Sequence, residues 1–162
     1  MSATADTPLR TPPLLLRRLL ALFYDLWPVL ALWMLTAVPF TLLDVALSGD
    51  ARHNIAPYSP LQWLLWLGCW AVAGLYATLS WKRGGQTLGM RPWRLHVHGA
   101  DGAASMGALW GRYAVGTLSL LCGGLGFWWA LLDRQGLTLH DRLSGTRLVH
   151  RPRPPGVSSS GA

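Results

Sequence analysis

Charged residues and cysteines are both scarce in this sequence. Charged side chains make up 13% of the 162 residues, whereas hydrophobic side chains make up 51%. The two cysteines, Cys69 and Cys122, lie inside apolar stretches, so neither a disulfide framework nor a thiolate metal site is indicated. This composition agrees with a membrane protein.

Three long stretches contain no Asp, Glu, Lys or Arg at all. They cover residues 26–43, 54–81 and 113–132. A helix needs about 20 mostly apolar residues to cross the roughly 30 Å hydrocarbon layer of a bilayer. Within these stretches apolar residues fall on every helical face, whereas a soluble amphipathic helix would confine them to one. The sequence therefore predicts an all-α membrane protein with three long apolar regions and three to four transmembrane helices.

Basic residues are distributed unequally among the segments outside these stretches. Lys and Arg number three before Leu19, one between residues 44 and 56, five from 82 to 112, and five from 134 to 153. The positive-inside rule predicts that the N-terminus and the 82–112 segment are cytoplasmic, with the 44–56 segment outside. Attraction to anionic inner-leaflet lipids accounts for the net charge of +7. Nucleic-acid binding is not expected, because the basic residues are divided among several loops.

The C-terminal segment conflicts with this topology unless the third apolar region turns back. Three simple crossings would place its five basic residues outside. The glycines among residues 122–126 permit a bend, after which the chain would return as a second short helix. Two short strands, residues 94–98 and 146–150, flank this region and are expected to pair, which requires both on one side of the membrane. The C-terminus is therefore predicted to be cytoplasmic.

The two ends of the chain differ in composition from the part between them. Residues 1–13 and 151–162 are polar and rich in small residues and proline, which is typical of disordered tails. Residues 14–150 are therefore predicted to form a single transmembrane domain.

A set of short motifs occurs in order between the apolar stretches. Arg18-Leu-Leu-Ala-Leu-Phe-Tyr-Asp25 opens the first stretch, GGQTLGM occupies residues 84–90, and LHDRLSGT occupies residues 139–146. Taken together, these motifs resemble the RDD family of membrane proteins, named for one arginine and two aspartates, over residues 14–149. The resemblance implies a multi-pass protein of the bacterial inner membrane, with transport suspected and no substrate defined.

The same resemblance distinguishes particular residues. Arg18 matches the named arginine, Asp25 the first aspartate and Asp141 the second, and Arg112 is a further charged position of the pattern. The remaining motif residues support the resemblance without an assigned chemistry, and they are Gly85, Gln86, Thr87, Gly89, His140, Gly145 and Thr146.

Asp25 is the charged residue that most needs an explanation, because it lies at the start of the first uncharged stretch. A carboxylate deep in a bilayer costs on the order of 2.5 to 3.5 kcal/mol unless it is paired. Arg112, directly before the third stretch, is the expected partner, and such a pair would fix helix packing. Two alternatives stay open: Asp25 binds a cation or proton within the helix bundle, or water and lipid head groups hold it at the interface.

The histidines and the charged segment near residue 140 raise the question of an enzyme or a metal centre. His140-Asp141-Arg142 lacks an accompanying serine or cysteine nucleophile motif. Asp141 is instead expected to accept backbone or arginine hydrogen bonds and to cap a turn. His96 and His98 share a strand face but have no third ligand at a suitable spacing. We therefore expect no catalytic residue, no metal and no cofactor.

The leading functional hypothesis is a small, non-enzymatic inner-membrane protein of the RDD type that transports ions or small solutes. Three or four helices are too few to enclose a pathway, so transport would require a homo-oligomer. The competing hypothesis is an accessory or scaffold protein that binds a partner membrane protein or anionic lipid through its basic loops.

Overall fold

The computed structural model of the protein describes residues 11–49, 55–99, 102–133 and 135–150. Within these ranges five helices and two strands follow in chain order: α1 (Thr11–Ser48), α2 (Pro60–Gly84), β1 (Leu95–Gly99), α3 (Met106–Leu121), α4 (Leu125–Leu132), α5 (Leu139–Ser144) and β2 (Thr146–His150). The predicted tails, residues 1–13 and 151–162, lie outside the described residues, apart from positions 11–13 at the start of α1.

Helices α1 and α2 are each long and apolar enough to cross a bilayer, over Leu14–Ser48 and Pro60–Gly84. The first of them has 38 residues. At 1.5 Å per residue α1 is roughly 57 Å long, well beyond the roughly 30 Å of a hydrocarbon layer, and ordinary tilts do not remove the excess. Part of α1 therefore projects beyond the hydrocarbon. These helices confirm the prediction of an all-α membrane protein.

Aromatic side chains join the long helices to one another. Trp33 Nε1 on α1 donates to the carbonyl of Cys69 on α2 at 2.8 Å. Tyr113 OH on α3 donates to the carbonyl of Trp70 on α2, also at 2.8 Å. Close approach of α3 to α2 depends on Gly74, because a Cβ at that position would lie 2.5 Å from the Trp110 ring. Neutral donors and small residues thus hold the helices together in this region.

The third apolar region is broken, as the sequence predicts. Helices α3 and α4 are bent by 99° at a short break. Gly123 and Gly124 in the break have φ angles of 69° and 78°, a left-handed conformation that glycine adopts without steric cost. Helix α4 therefore runs nearly perpendicular to α3 instead of continuing in its direction.

The two short strands form the predicted pair. β1 and β2 are antiparallel, with Leu95 opposite His150 and Gly99 opposite Thr146. The Val97 N–H also donates to the carbonyl of Gly85, directly after α2, at 2.6 Å. The end of α2 and both strands therefore lie together. The start of α1 and α5 lie in the same region, because Arg18 on α1 contacts Asp141 on α5. We call this region the sheet end.

The hydrophobic core lies at the sheet end. Its buried members are Ala21, Met90, Leu95, Val97 and Leu109. Farther along α1 the apolar side chains are largely uncovered, with exposed fractions of 75% for Met34 and 70% for Leu35. Burial of this kind suits a protein whose interior is packed at one end and whose helices otherwise face lipid.

The turn between α3 and α4 leads to a first prediction, on Gly126. Its N–H donates to Ser119 Oγ at 2.8 Å, and an added Cβ would lie 2.9 Å from Ser119 Cβ and closer still to Oγ. Gly126→Ala is therefore expected to destabilise the protein by about 1–3 kcal/mol, measured as the free energy of unfolding in detergent. Gly107→Ala is the matched control, because nothing lies within 4 Å of its Cβ position. Equal effects of the two changes would contradict the packing described here.

Candidate functional site

Asp141 is held by the short helix that precedes strand β2. Thr138 is the N-cap of α5, and its Oγ1 accepts from the Asp141 N–H at 3.4 Å. In return Asp141 Oδ2 accepts from the Thr138 N–H at 3.2 Å, which completes a capping box. The prediction that Asp141 accepts backbone hydrogen bonds and caps a turn is confirmed. These two hydrogen bonds between Thr138 and Asp141 fix the carboxylate in one orientation.

Two arginines from different helices meet that carboxylate. Arg18 Nη1, on α1, lies 2.7 Å from Asp141 Oδ2, and Arg112 Nη1, on α3, donates to Oδ1. Arg112 Nη1 also donates to Thr146 Oγ1 on β2 at 2.8 Å. All three charged residues are buried, with exposed fractions of 5% for each arginine and 1% for Asp141. We call Arg18, Arg112 and Asp141 the Arg–Asp–Arg cluster.

The charges of the cluster do not cancel. Burial alone would raise the pKa of Asp141, but the Arg112 and Arg18 guanidiniums lower that pKa well below its usual value. The carboxylate is therefore ionised at neutral pH, so the three groups carry two positive charges and one negative. The cluster retains one uncompensated positive charge in a buried position.

His140 packs beside the cluster and does not add to its charge. Burial lowers the pKa of His140 to about 3, and the positive charge of Arg112 acts in the same direction. The imidazole is neutral at physiological pH and packs edge-on against Phe127, with ring centroids 4.9 Å apart. His140 therefore fills space between α4 and α5 without ionising.

Arg18 is incompletely paired although it is buried. Its Nη1 approaches Asp141 closely enough for an ion pair, but the N–H directions are not aligned with the carboxylate for a hydrogen bond. Nε and Nη2 have no hydrogen-bond acceptor in the part of the chain that the structure describes. Buried charged donors without acceptors are costly, so this guanidinium has capacity for a further acceptor.

Asp25 is bound by neutral donors. Its Oδ1 accepts from Tyr76 OH at 2.8 Å and from the Gly89 N–H at 2.9 Å, while Oδ2 accepts from Thr87 Oγ1. The predicted Asp25–Arg112 pair is wrong, because Arg112 binds the carboxylate of Asp141 instead. The alternative that water and lipid head groups hold Asp25 at the interface stays a prediction. Binding of a cation or proton by Asp25 stays a prediction.

Gly89 explains how the loop after α2 reaches Asp25. A Cβ at Gly89 would lie 2.7 Å from Asp25 Cγ and collide with the carbonyl oxygen of Ala21. Only glycine lets the loop backbone approach α1 this closely. Residues 88–94 form a series of turns, and Thr87, directly before them, binds Asp25.

The other motif residues mark the ends of helices or contact the cluster. Gly85 and Gly145 end α2 and α5 with φ angles of 69° and 60°. Thr146 is buried and accepts from Arg112, whereas Gln86 is half-buried beside a surface pocket near the end of α2. The rings of His96 and His98 lie 6.3 Å apart, and no group of three metal-ligating side chains occurs within the described ranges.

A crevice of about 680 Å³ begins at the cluster and runs between α1, α2 and α3. Arg18, Arg112, His140 and Asp25 supply polar groups to its lining, while the rest of the wall is mainly aliphatic and aromatic. The additional lining residues that matter below are Leu22, Leu26, Trp33, Trp66, Ala73 and Gly116. Leu22, Leu26 and Trp66 are also 39%, 43% and 51% exposed, so the crevice opens sideways onto the lipid-facing surface.

Sequence reasoning missed the partnership of Asp141 with both arginines. The available signal was the predicted strand pair, because pairing brings residues 139–146 to the same end of the molecule as the start of α1. Asp141 is the buried acid of that segment, so it was the natural partner for Arg18 and Arg112.

Two long apolar helices and a bent helix pair, joined at one end by a buried ionic cluster, define a multi-span membrane protein. The family model described as the RDD family matches residues 12–145. The chain therefore belongs to the RDD family, as its motifs indicate. No significant match is found among curated proteins or among solved structures.

The cluster predicts strong coupling between Asp141 and Arg112. Asp141→Ala is expected to lower the free energy of unfolding by about 3–5 kcal/mol, because it leaves two buried guanidiniums without a counter-charge. Arg112→Ala is expected to lower it by about 1.5–3 kcal/mol, because Asp141 and Thr146 lose a charged hydrogen-bond donor. The double variant should cost clearly less than the sum of the two. As a control, Asp25→Ala and Arg112→Ala should add to within about 0.5 kcal/mol, since they share no partner. Coupling between Asp25 and Arg112, with additive effects of Asp141 and Arg112, would contradict the pairing of Arg112 with Asp141.

The neutral state of His140 predicts a pH dependence of stability. Its pKa is lower in the folded than in the unfolded protein, so its contribution is complete above about pH 6.5 and is lost as pH falls toward 3. The free energy of unfolding should therefore fall by up to about 1.4 kcal/mol per pH unit below pH 6.5. Chemical unfolding of the wild type and of His140→Gln at pH 7.0 and 5.5 measures this contribution. If the free energy of unfolding falls equally in the wild type and in His140→Gln between pH 7.0 and 5.5, His140 is not the source of the pH dependence.

Proposed function

We propose that the protein is a non-enzymatic transport subunit of the bacterial inner membrane that acts as a homo-oligomer and binds an anionic solute at the cluster. The observation that carries this proposal is the incompletely paired Arg18 at the head of the crevice. A buried ionisable group that lines a cavity in a membrane protein commonly marks a solute pathway. The net positive charge of the cluster favours an anion over a cation.

Oligomerisation follows from the small number of helices. One copy supplies two long helices and one bent pair within its described residues, which do not surround a closed pathway. The uncovered apolar side chains of α1, including Met34 and Leu35, provide a face on which a second copy can pack. The crevice of each copy would then be completed by neighbouring chains.

The proposed orientation places the sheet end in the cytoplasm. Three segments rich in Lys and Arg meet there, namely the start of α1, the segment after α2 and the segment containing α5 and β2. The 44–56 segment, with one basic residue, would lie outside. Both termini are then cytoplasmic, and the cluster faces the inner leaflet.

Asp25 has a supporting role in this proposal. Its two oxygens already accept from Tyr76, Thr87 and Gly89, so it holds the loop after α2 against α1. It lines the crevice together with Arg18. Arg18 is the residue expected to contact the solute.

Flux into proteoliposomes tests the proposal. The wild type should carry small inorganic anions or short-chain carboxylates faster than protein-free vesicles, and it should carry Na⁺ and K⁺ no faster. Arg18→Gln is expected to reduce that flux at least about tenfold, because it removes a charged hydrogen bond to the solute. Arg17→Gln is the matched control, since it makes the same charge change one residue away and Arg17 does not line the crevice.

The same assay separates the competing function, a scaffold that binds a partner membrane protein. The uncovered face of α1 is the observation that favours it. A well-folded wild type with no flux above empty vesicles for any solute would overturn the transport proposal. Retained helical content and a single elution peak in detergent would show that each variant is folded.

A further inference from the structure

The shape of the crevice indicates the kind of ligand more specifically than its charge does. Along α1 it runs from Arg18 to Trp33, a distance of roughly 22 Å at 1.5 Å per residue. Its cluster end carries a net positive charge, whereas the carboxylate of Asp25, farther along the crevice, is held by three neutral donors. A long apolar channel with one cationic end matches a molecule with one anionic head and an extended hydrocarbon chain.

The opening of the crevice indicates where such a molecule comes from. Leu22, Leu26 and Trp66 line the crevice and are also exposed on the surface that faces lipid. A membrane lipid could therefore enter sideways, without passing through water. The cluster lies near the start of α1, and the proposed cytoplasmic orientation of that end would place it close to the head groups of the inner leaflet.

The hydrogen-bonding capacity of Arg18 defines the head group. Nε and Nη2 of a guanidinium form a planar pair of donors that suits two oxygens of one phosphate or carboxylate. One net positive charge in the cluster is balanced by one negative charge. The head group that fits is therefore a monoanion, such as the phosphodiester of an anionic phospholipid.

We infer that the crevice is a binding site for one monoanionic phospholipid, with its phosphate on Arg18 and one acyl chain between α1, α2 and α3. The inference deepens the proposed function and rests on it for the location of the site, but it does not require that the lipid is transported. The lipid completes the coordination of Arg18 and covers the apolar walls that the chain leaves open.

Native mass spectrometry of the full-length protein, with lipid titration in detergent, tests the inference. The probes are phosphatidylglycerol, phosphatidylcholine and inorganic phosphate, supplied separately. The wild type should bind one phosphatidylglycerol per protomer at least about tenfold more tightly than phosphatidylcholine. Preferential binding of inorganic phosphate without any preference for the lipid would overturn the inference in favour of a free-anion site.

Two pairs of variants locate the head and the tail. Arg18→Gln should weaken phosphatidylglycerol binding about tenfold, whereas Arg17→Gln should not. Gly116→Leu should also weaken it, because Gly116 lines the crevice and nothing lies within 4 Å of its Cβ position. Gly111→Leu, on the same helix with equally free space and outside the crevice lining, is the control.

Each unfavourable outcome has a definite meaning. Equal losses in Arg17→Gln and Arg18→Gln would show general surface attraction, and no effect of Gly116→Leu would show that no acyl chain enters the crevice. Gly116→Leu leaves the cluster intact, so it still tests the inference if Arg18→Gln does not fold. If Gly116→Leu dissociates an oligomer without changing lipid binding, a second copy fills the crevice and the inference fails. Lipid binding without solute flux would instead refute the transport proposal and still support the lipid-binding site.

Discussion

The contact of one buried carboxylate with two guanidiniums governs the architecture of this RDD-family protein. Asp141 forms ion pairs with Arg18 on α1 and with Arg112 on α3. Arg112 also donates to Thr146 on β2. Without Asp141, two like charges would face each other in a poorly hydrated space. The cluster therefore joins the first helix of the chain to its last strand.

That connection is possible only because the third apolar region turns back. The 99° bend between α3 and α4 turns the chain out of the direction of α3, and the segment after α4 leads to the sheet end, where α5 presents Asp141 and β2 pairs with β1. The result is a molecule packed at one end and open along its helices. The crevice begins at the end where the cluster ties α1 to α3 and lies between α1, α2 and α3.

The sequence was sufficient to predict the apolar helices, the bend at residues 122–126 and the strand pair, because each depends on local composition. It also predicted that Asp141 accepts backbone or arginine hydrogen bonds, but it did not identify Arg18 and Arg112 as the two arginines. The partner of Asp25 was not predictable from spacing, because it depends on how the loop after α2 folds onto α1. Gly89 allows that approach through its missing side chain, a property visible only once the two backbones are placed together. Arg112 was consequently assigned to the wrong carboxylate.

The most direct test of the cluster is hydrogen–deuterium exchange of the protein in lipid nanodiscs, comparing the wild type with Asp141→Asn. If the cluster joins α1 to the returning chain, amide protection should fall together in β1, α5 and β2, while the middle of α2 keeps its protection. Unchanged protection of both strands in the variant would contradict the account, because the sheet end would then be held together without the buried ion pairs.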